Sequence, residues 1–293
     1  MNYLLVGLAV LGVAASGPIM AATAAPALAI AFWRNALGAA IMGTPTVLRQ
    51  RQQFRQLTRQ DYLVSTLGAA ALALHFASFI TALQLTSVAA ATALVCLQSA
   101  WIVLFQLIRG IRQIPAIFCG LLLALIGVVV ITGLDFSTSA QALTGDLLGV
   151  AGGALAGIYT MVGAKARETM TTGVYTTLCY GICALFLLIL ALIFSVPLIG
   201  FGTWVWLGII AVTLVAQIMG HSIINYLLAS MSPLVISMLI LLEIPGAALL
   251  AAVFLNERLP SGTYAGLLLI LAGLAVVILG QSRGLPRSQR RSP

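Results

Sequence analysis

Ten apolar runs of span length, parted by short polar breakers, constrain this chain more than any other feature: 3–22, 29–47, 62–83, 88–108, 114–132, 145–164, 173–195, 204–228, 234–254 and 262–280. About 20 apolar residues in a helix cross the hydrocarbon core of a bilayer. Backbone groups find no water there, so each run must satisfy its own N–H and C=O groups and is expected to be helical. Only 7% of the 293 residues are charged, while 61% are hydrophobic. A soluble domain carries about 25% charged residues, and it keeps a wide wet surface that this composition could not supply. The expected fold class is an all-α membrane protein of ten transmembrane helices, with the lipid bilayer as its partner.

The net charge of +8 is almost all arginine. Arg49, Arg51, Arg55 and Arg59 lie between the second and third runs, Arg109 and Arg112 between the fourth and fifth, and Lys165 and Arg167 between the sixth and seventh. Arg283, Arg287, Arg290 and Arg291 form the tail. Ten crossings put all of these on one side together with the N-terminus. The other side keeps Arg258, beside Glu257, and a 133–144 loop with Asp135 and no base. The positive-inside rule makes the basic side cytoplasmic, so both termini are expected in the cytoplasm of a bacterial inner membrane. No basic stripe with interleaved aromatics suggests nucleic acid. Met1-Asn2-Tyr3 offers no basic n-region, so a signal peptide is not expected. Cys96, Cys119, Cys179 and Cys183 all sit in apolar runs and are expected to pack as small apolar groups.

The chain repeats itself. At a shift of 146 residues Gly120-Leu121-Leu122-Leu123 falls on Gly266-Leu267-Leu268-Leu269, Leu125 on Leu271, Gly127 on Gly273 and Thr86 on Ser232. The only two histidines, His75 and His221, fall on each other. Five runs per half is an odd number, so the second half must enter from the opposite side. Inverted halves are a common transporter design, with the substrate held between them near the midplane. The expected domains are a five-helix repeat at 1–134, an inverted one at 143–281, and a basic tail at 282–293.

Several short stretches, taken in order, are familiar: Phe32-Trp33-Arg34-Asn35, Leu74-His75-Phe76, Leu85-Thr86-Ser87-Val88-Ala89, Gly220-His221-Ser222 with Asn225, and Glu243-Ile244-Pro245 followed by Leu255-Asn256-Glu257-Arg258. Together they resemble the EamA family of the drug/metabolite transporter superfamily, over nearly the whole chain and most closely over 220–280. The resemblance implies ten helices, inverted repeats, a central cavity lined by both halves, and export of amino acids, related metabolites or drugs.

The candidate site residues follow from polar groups placed inside apolar runs, where they are expensive and tend to face cavities. His75 shares a helix face with Ser78 and Phe79, and His221 with Ile224 and Asn225. A neutral imidazole both donates and accepts, which suits a polar ligand; the alternative is a packing histidine bonded to a carbonyl. Glu243 is the one carboxylate near the middle of a run. Ionised and unpaired it costs about 2.5–3.5 kcal/mol on insertion scales, so it is a candidate proton-coupling group, a partner for Arg34, or a cap on backbone loosened by Pro245. Arg34 lies roughly 12 Å into its helix, eight residues past Pro26; it is a candidate for a substrate carboxylate or for a structural ion pair. Gln98, Trp101 and Tyr159 are candidate cavity walls, and Trp33, Trp204 and Trp206 candidate interfacial anchors. The pairs Gly120/Gly127 and Gly266/Gly273 are expected to let helices approach closely.

The expected activity is a secondary exporter of amino acids or similar small metabolites working by alternating access, with the proton as candidate coupling ion and without a cofactor; the sequence leaves the oligomeric state open, a monomer being compatible with it. A drug, nucleotide-sugar or lipid-linked substrate is the alternative. No Gly-Lys-Ser/Thr follows a glycine cluster, which argues against direct ATP use. An enzyme is not expected: a zinc centre would need His75, His221 and Glu243 within about 2.0–2.2 Å of one ion. Nothing resembling a selectivity filter suggests a channel.

Overall fold

The computed structural model describes residues 3–132, 139–254 and 262–284, and among them every regular element is a helix. The elements are α1 (Tyr3–Ala14), α2 (Ser16–Ala22), α3 (Ala27–Arg49), α4 (Arg51–Arg55), α5 (Arg59–Leu85), α6 (Val88–Val95), α7 (Gln98–Ile108), α8 (Pro115–Thr132), α9 (Ala140–Ala166), α10 (Thr172–Ile193) and α11 (Thr203–Val212). A π-helical stretch (Thr213–Ser222) follows, then α12 (Ile223–Leu227), α13 (Pro233–Ile240), α14 (Glu243–Phe254) and α15 (Thr263–Gly284). Among the described residues seven stretches are long and apolar enough to cross a membrane: Tyr3–Ala22, Ala27–Arg49, Arg59–Leu85, Ala90–Ile108, Ala140–Ala166, Thr172–Ile193 and Thr203–Leu227. Pro115–Val130, Pro233–Ala247 and Tyr264–Gly280 are shorter apolar helices. Every apolar run of the sequence thus falls on a helix or on a helix with a break in it.

Helix starts follow local chemistry. Thr58 and Asp61 form a reciprocal capping box on α5, with Asp61 N donating to Thr58 Oγ1 at 3.2 Å and Thr58 N to Asp61 Oδ2 at 2.8 Å. Ser87, Ser139, Thr171 and Ser232 accept from the third residue onward to start α6, α9, α10 and α13. Each such cap satisfies a donor the helix cannot. Two of these starts, Arg59 and Ala140, lie several residues outside the apolar runs, because a capped helix continues through its polar flank.

Packing is pairwise. α3 lies on α10, α8 on α15, α5 on α9, and α1 on the π stretch. The α8–α15 contact is made by the expected glycines. A Cβ on Gly120 would stand 2.6 Å from Gly273 O, and one on Gly127 2.6 Å from Gly266 O. Large apolar side chains such as Leu11, Leu63, Leu122, Leu147, Leu192 and Leu268 are exposed around the outside, as a lipid-facing surface requires.

The loops sort by end. Thr169 Oγ1 donates to Asp61 Oδ1 at 2.8 Å and Thr171 Oγ1 to Gln50 Oε1 at 2.6 Å. The arginine-bearing 49–59 segment and the 165–171 turn therefore meet at one end of the bundle. Elsewhere, Trp33 Nε1 donates to Leu198 O at 2.6 Å and Gln84 Nε2 to Ala25 O at 3.0 Å, joining the loops at the opposite ends of those helices. Glu257 with Arg258, Asp135, and the tail bases Arg287, Arg290 and Arg291 lie outside the described residues.

One expectation about the cysteines fails. Cys96, Cys179 and Cys183 are buried, but Cys119 is exposed. It sits on the outer face of α8, where lipid rather than protein meets a thiol.

Candidate functional site

Four interruptions in the helices meet around one cavity. α1 passes to α2 at Ala15, α6 to α7 at Cys96 and Leu97, α13 to α14 at Leu241 and Leu242, and the π stretch carries His221. At these breaks the backbone closes shorter turns: Leu97 N bonds Leu94 O at 3.2 Å, Leu242 N bonds Leu239 O at 3.1 Å, and Ile244 N bonds Leu241 O at 3.2 Å. That last bond takes up the carbonyl which Pro245, lacking an N–H, cannot serve. Irregular backbone at membrane depth is tolerated only where protein or a cavity satisfies it, and transporter sites are commonly built on such broken helices.

The polar wall of the cavity consists of Ser16, His75, Gln98, Tyr159, Thr160, His221 and Glu243, and Phe76 and Phe79 stand among the apolar groups between them. About 40 Å³ inside is open to the centre of a water-sized sphere, room for about three waters. A metabolite could enter only if the helices part. His75 is fixed: Nδ1 lies 3.0 Å from Gly152 O on α9. A carbonyl only accepts, so Nδ1 carries the proton and Nε2 of the neutral ring is an acceptor. His221 has no such anchor, and its buried Nδ1 lacks a hydrogen-bond partner among the described residues. Its ring stands edge-on to Phe76, 5.3 Å between centroids.

Two networks support this wall. Asn225 Nδ2 donates to Tyr159 OH at 2.6 Å and to His221 O at 2.9 Å, and Tyr180 OH meets Ser222 Oγ at 3.1 Å. Arg167, at the C-terminal end of α9, donates from Nε to Asn225 O at 3.1 Å and from Nη1 to Met170 O. Partial burial lowers its proton affinity, and Tyr226 acts the other way. The second network centres on Arg34, which is fully buried on α3. Its Nε donates to Gln217 Oε1 at 2.9 Å, Nη1 faces Met20 Sδ at 3.4 Å, and the guanidinium carbon lies 4.1 Å from the Phe76 ring centroid. Gln217 Nε2 in turn donates to Asn35 Oδ1 at 3.1 Å.

The structure therefore brings His75, Gln98, Tyr159, His221 and Glu243 to one cavity. Ser78, Trp101, Asn225 and Arg34 are not on its wall. Ser78 faces Gly152 of α9, and Trp101 packs beside Gly157 and stacks on Phe105 at 5.9 Å. Asn225 holds Tyr159 from behind, and Arg34 lies behind Phe76. The suggested Arg34–Glu243 ion pair is not formed: the one ion pair among the described residues is Lys165–Glu168. Glu243 is no cap either, because no donor reaches its carboxylate among the described residues. No group of three metal-binding side chains occurs among the described residues. Phe79, expected on the His75 face, is on the wall. Ser16, Phe76, Thr160 and Gln217 are additions to the predicted set, and Phe76, next to His75 on α5, is the one its position could have indicated.

Residues 143–279 match the model of the EamA-like transporter family. Twenty-nine chains of solved structures match the fold. One of them, titled "Crystal structure of protein", has a TM-score of 0.75 at 22% identity, over 96% of this chain and 97% of its own; at that identity the likeness speaks for the fold alone. No curated protein matches the sequence. The chain is therefore a multi-pass membrane protein whose residues 143–279 are similar to the EamA-like transporter family, part of the drug/metabolite transporter superfamily.

Proposed function

We propose that the protein is a secondary transporter that exports small metabolites, amino acids or related compounds, by alternating access between two inverted five-helix halves, 1–134 and 143–281. The seven long helices and the three shorter apolar ones make ten crossings, with the basic loops and both termini in the cytoplasm of a bacterial inner membrane. The observation that carries the proposal is the narrow cavity where interrupted helices from both halves meet, with a polar wall on which the buried His221 Nδ1 has no hydrogen-bond partner among the described residues.

The inverted repeat has support in the packing. A two-fold relation that sends each residue to the one 146 further on requires that a Gly120–Gly273 contact be matched by Gly127–Gly266; both contacts are present. It pairs the second and seventh runs with each other, and likewise the fifth and tenth, as α3–α10 and α8–α15 do. It also relates α5–α9 to the contact of α1 with the π stretch. The capped interval from Thr58 to Ser87 is one residue shorter than that from Gly202 to Ser232. The π stretch, with its wider turns, accommodates the extra residue.

Alternating access has support in an asymmetry between the two ends. At the basic end α5 and the turn after α9 are tied by Asp61–Thr169. The position related to it by the repeat, between α2 and α11, is an apolar groove of about 580 Å³ beside Pro18, Ile19, Thr23, Trp204 and Leu207. Thr23 packs on Gly208 of α11 there, so the related position is closed by van der Waals contact with the groove beside it, whereas the basic end is closed by a hydrogen bond. That groove also favours a second reading, in which the substrate is a drug or a lipid-linked molecule with an apolar tail.

Thr169→Val removes the tie and leaves the capping box intact. It is expected to raise labelling of a Ser65→Cys thiol from the cytoplasmic side several-fold, while stability falls by about 0.5–1.5 kcal/mol. Equal labelling with and without Thr169 would argue that the tie is no gate.

Export itself is tested in proteoliposomes by counterflow across a panel of amino acids and drugs. Saturable exchange is expected, and its absence for every solute would remove the proposal. His221→Phe and His75→Phe are each expected to lower the exchange rate by at least roughly tenfold, the scale of a lost buried hydrogen bond to ligand. Unchanged rates in both variants would leave the histidines as packing groups.

A further inference from the structure

We propose that Glu243 is the ammonium-binding group of the cavity, so that the molecule it accepts carries a primary amine on a compact apolar body. The inference rests on the transporter reading and narrows its substrate class.

Glu243 opens α14 and is 6% exposed, its exposure being to the cavity. Among the described residues its carboxylate accepts no hydrogen bond and makes no ion pair. A neighbouring cation is Arg34, whose Nε and Nη1 go to Gln217 and Met20, whose Nη2 has no hydrogen-bond partner among the described residues, and whose face lies on Phe76. Arg34 has no nitrogen within ion-pair distance of Glu243. A carboxylate only accepts. Leaving it buried, ionised and unpaired is expensive, so the group either takes up a proton or meets a partner that brings donors and positive charge, and an ammonium is such a partner.

The rest of the wall asks for the same species. His75 spends its N–H on Gly152 O, so its Nε2 offers the cavity a second acceptor. Ser16, Gln98 and Thr160 can accept as well as donate. Phe76, Phe79 and Tyr159 present aromatic rings, whose faces attract cations when water is excluded. An ammonium has three donors and one charge, which Glu243, His75 Nε2 and one hydroxyl or ring can satisfy. Val13, Val95, Ile224 and Ile240 remain for an apolar body.

The test uses the full-length protein purified in detergent, with thermal unfolding read against isoamylamine, leucinamide, L-leucine and 4-methylpentanoate. The amine-bearing probes are expected to raise the unfolding midpoint of the wild type in a saturable way, and 4-methylpentanoate, which has the same body without the amine, is not. Glu243→Gln is expected to weaken amine binding by at least roughly tenfold, with Glu243→Asp intermediate. The proposal is overturned if no amine shifts the midpoint, if the acid binds as tightly as the amines, or if Glu243→Gln retains amine binding within about twofold. Should Glu243→Gln fail to fold, the amine-versus-acid comparison on the wild type decides alone. Proteoliposome flux separates the two readings. Flux of an amine-free solute that Glu243→Gln leaves unchanged removes the ammonium site and keeps the transporter. Amine binding without flux of any solute does the reverse.

Discussion

Arg34→Met is expected to lower the unfolding midpoint in detergent by roughly 6–12 °C, corresponding to about 3 kcal/mol at 2–4 °C per kcal/mol for a chain of this order of length. The loss has two sources. A hydrogen bond to a charged group contributes about 1.5–3 kcal/mol, and a desolvated cation–π contact about 2. The saving from no longer burying a charge offsets part of their sum. Arg34 reaches across from α3 to the π stretch, so its removal also leaves Gln217 Oε1 without the donor it has now. An orphaned buried acceptor costs about 1–3 kcal/mol.

A double-mutant cycle separates that orphan from the rest. Gln217→Met alone strips both Arg34 Nε and Asn35 Oδ1 of partners. In Arg34→Met with Gln217→Met neither end of the Arg34–Gln217 bond remains, so the double loss is expected to fall short of the summed single losses by about 1–3 kcal/mol. Strict additivity would show that the two side chains are neighbours without being coupled. Arg34→Lys should recover little, because a compact ammonium cannot both donate to Gln217 in the plane of a fork and spread over Phe76.

Arg34 also shows where one sequence stops being informative. A lone arginine and a lone carboxylate inside apolar runs suggest each other, because formal charge is what a sequence displays. The partner that the fold supplies is a neutral glutamine 183 residues away, and no local pattern marks it. The helices themselves were readable, since hydrocarbon forces every apolar run into the same secondary structure. Their breaks were less so. Pro18 and Pro245 lie near two of them, but the Cys96–Leu97 break has no proline or glycine, and the π stretch has only Gly220. That glycine meets α1 closely: its Cβ would stand 3.0 Å from Val13 Cγ1 and 3.2 Å from Val13 N. The π geometry occurs where two helices touch, which is a tertiary fact. Site residues divide the same way. His75 and His221 were found because the repeat aligned them. Ser78 was misjudged because i+3 and i+4 fall on opposite sides of the direction in which His75 points; Phe79 takes the cavity side and Ser78 the α9 side.

Gly127→Ala and Gly120→Ala are each expected to destabilise the protein by about 3 kcal/mol, near the top of the usual range for overpacking. The added methyl group would meet a backbone carbonyl at 2.6 Å in both cases. A flexible side chain could swing aside; a carbonyl already committed to its own helix cannot, so α8 and α15 must separate along their length. Membrane helices associate through close packing rather than hydrophobic exclusion, and separation forfeits the contact instead of trading it for another. Gly7→Ala and Gly181→Ala are the controls: nothing lies within 4 Å of a Cβ at either site, and both should unfold like the wild type. The repeat adds a sharper condition. Gly127 and Gly273 are related by the 146-residue shift, and each faces the backbone of the other helix. Gly273→Ala should therefore lose about as much as Gly127→Ala. If Gly273→Ala proves neutral while Gly127→Ala is severe, the two helices do not meet symmetrically, and the inverted-repeat reading loses the contact that supports it best.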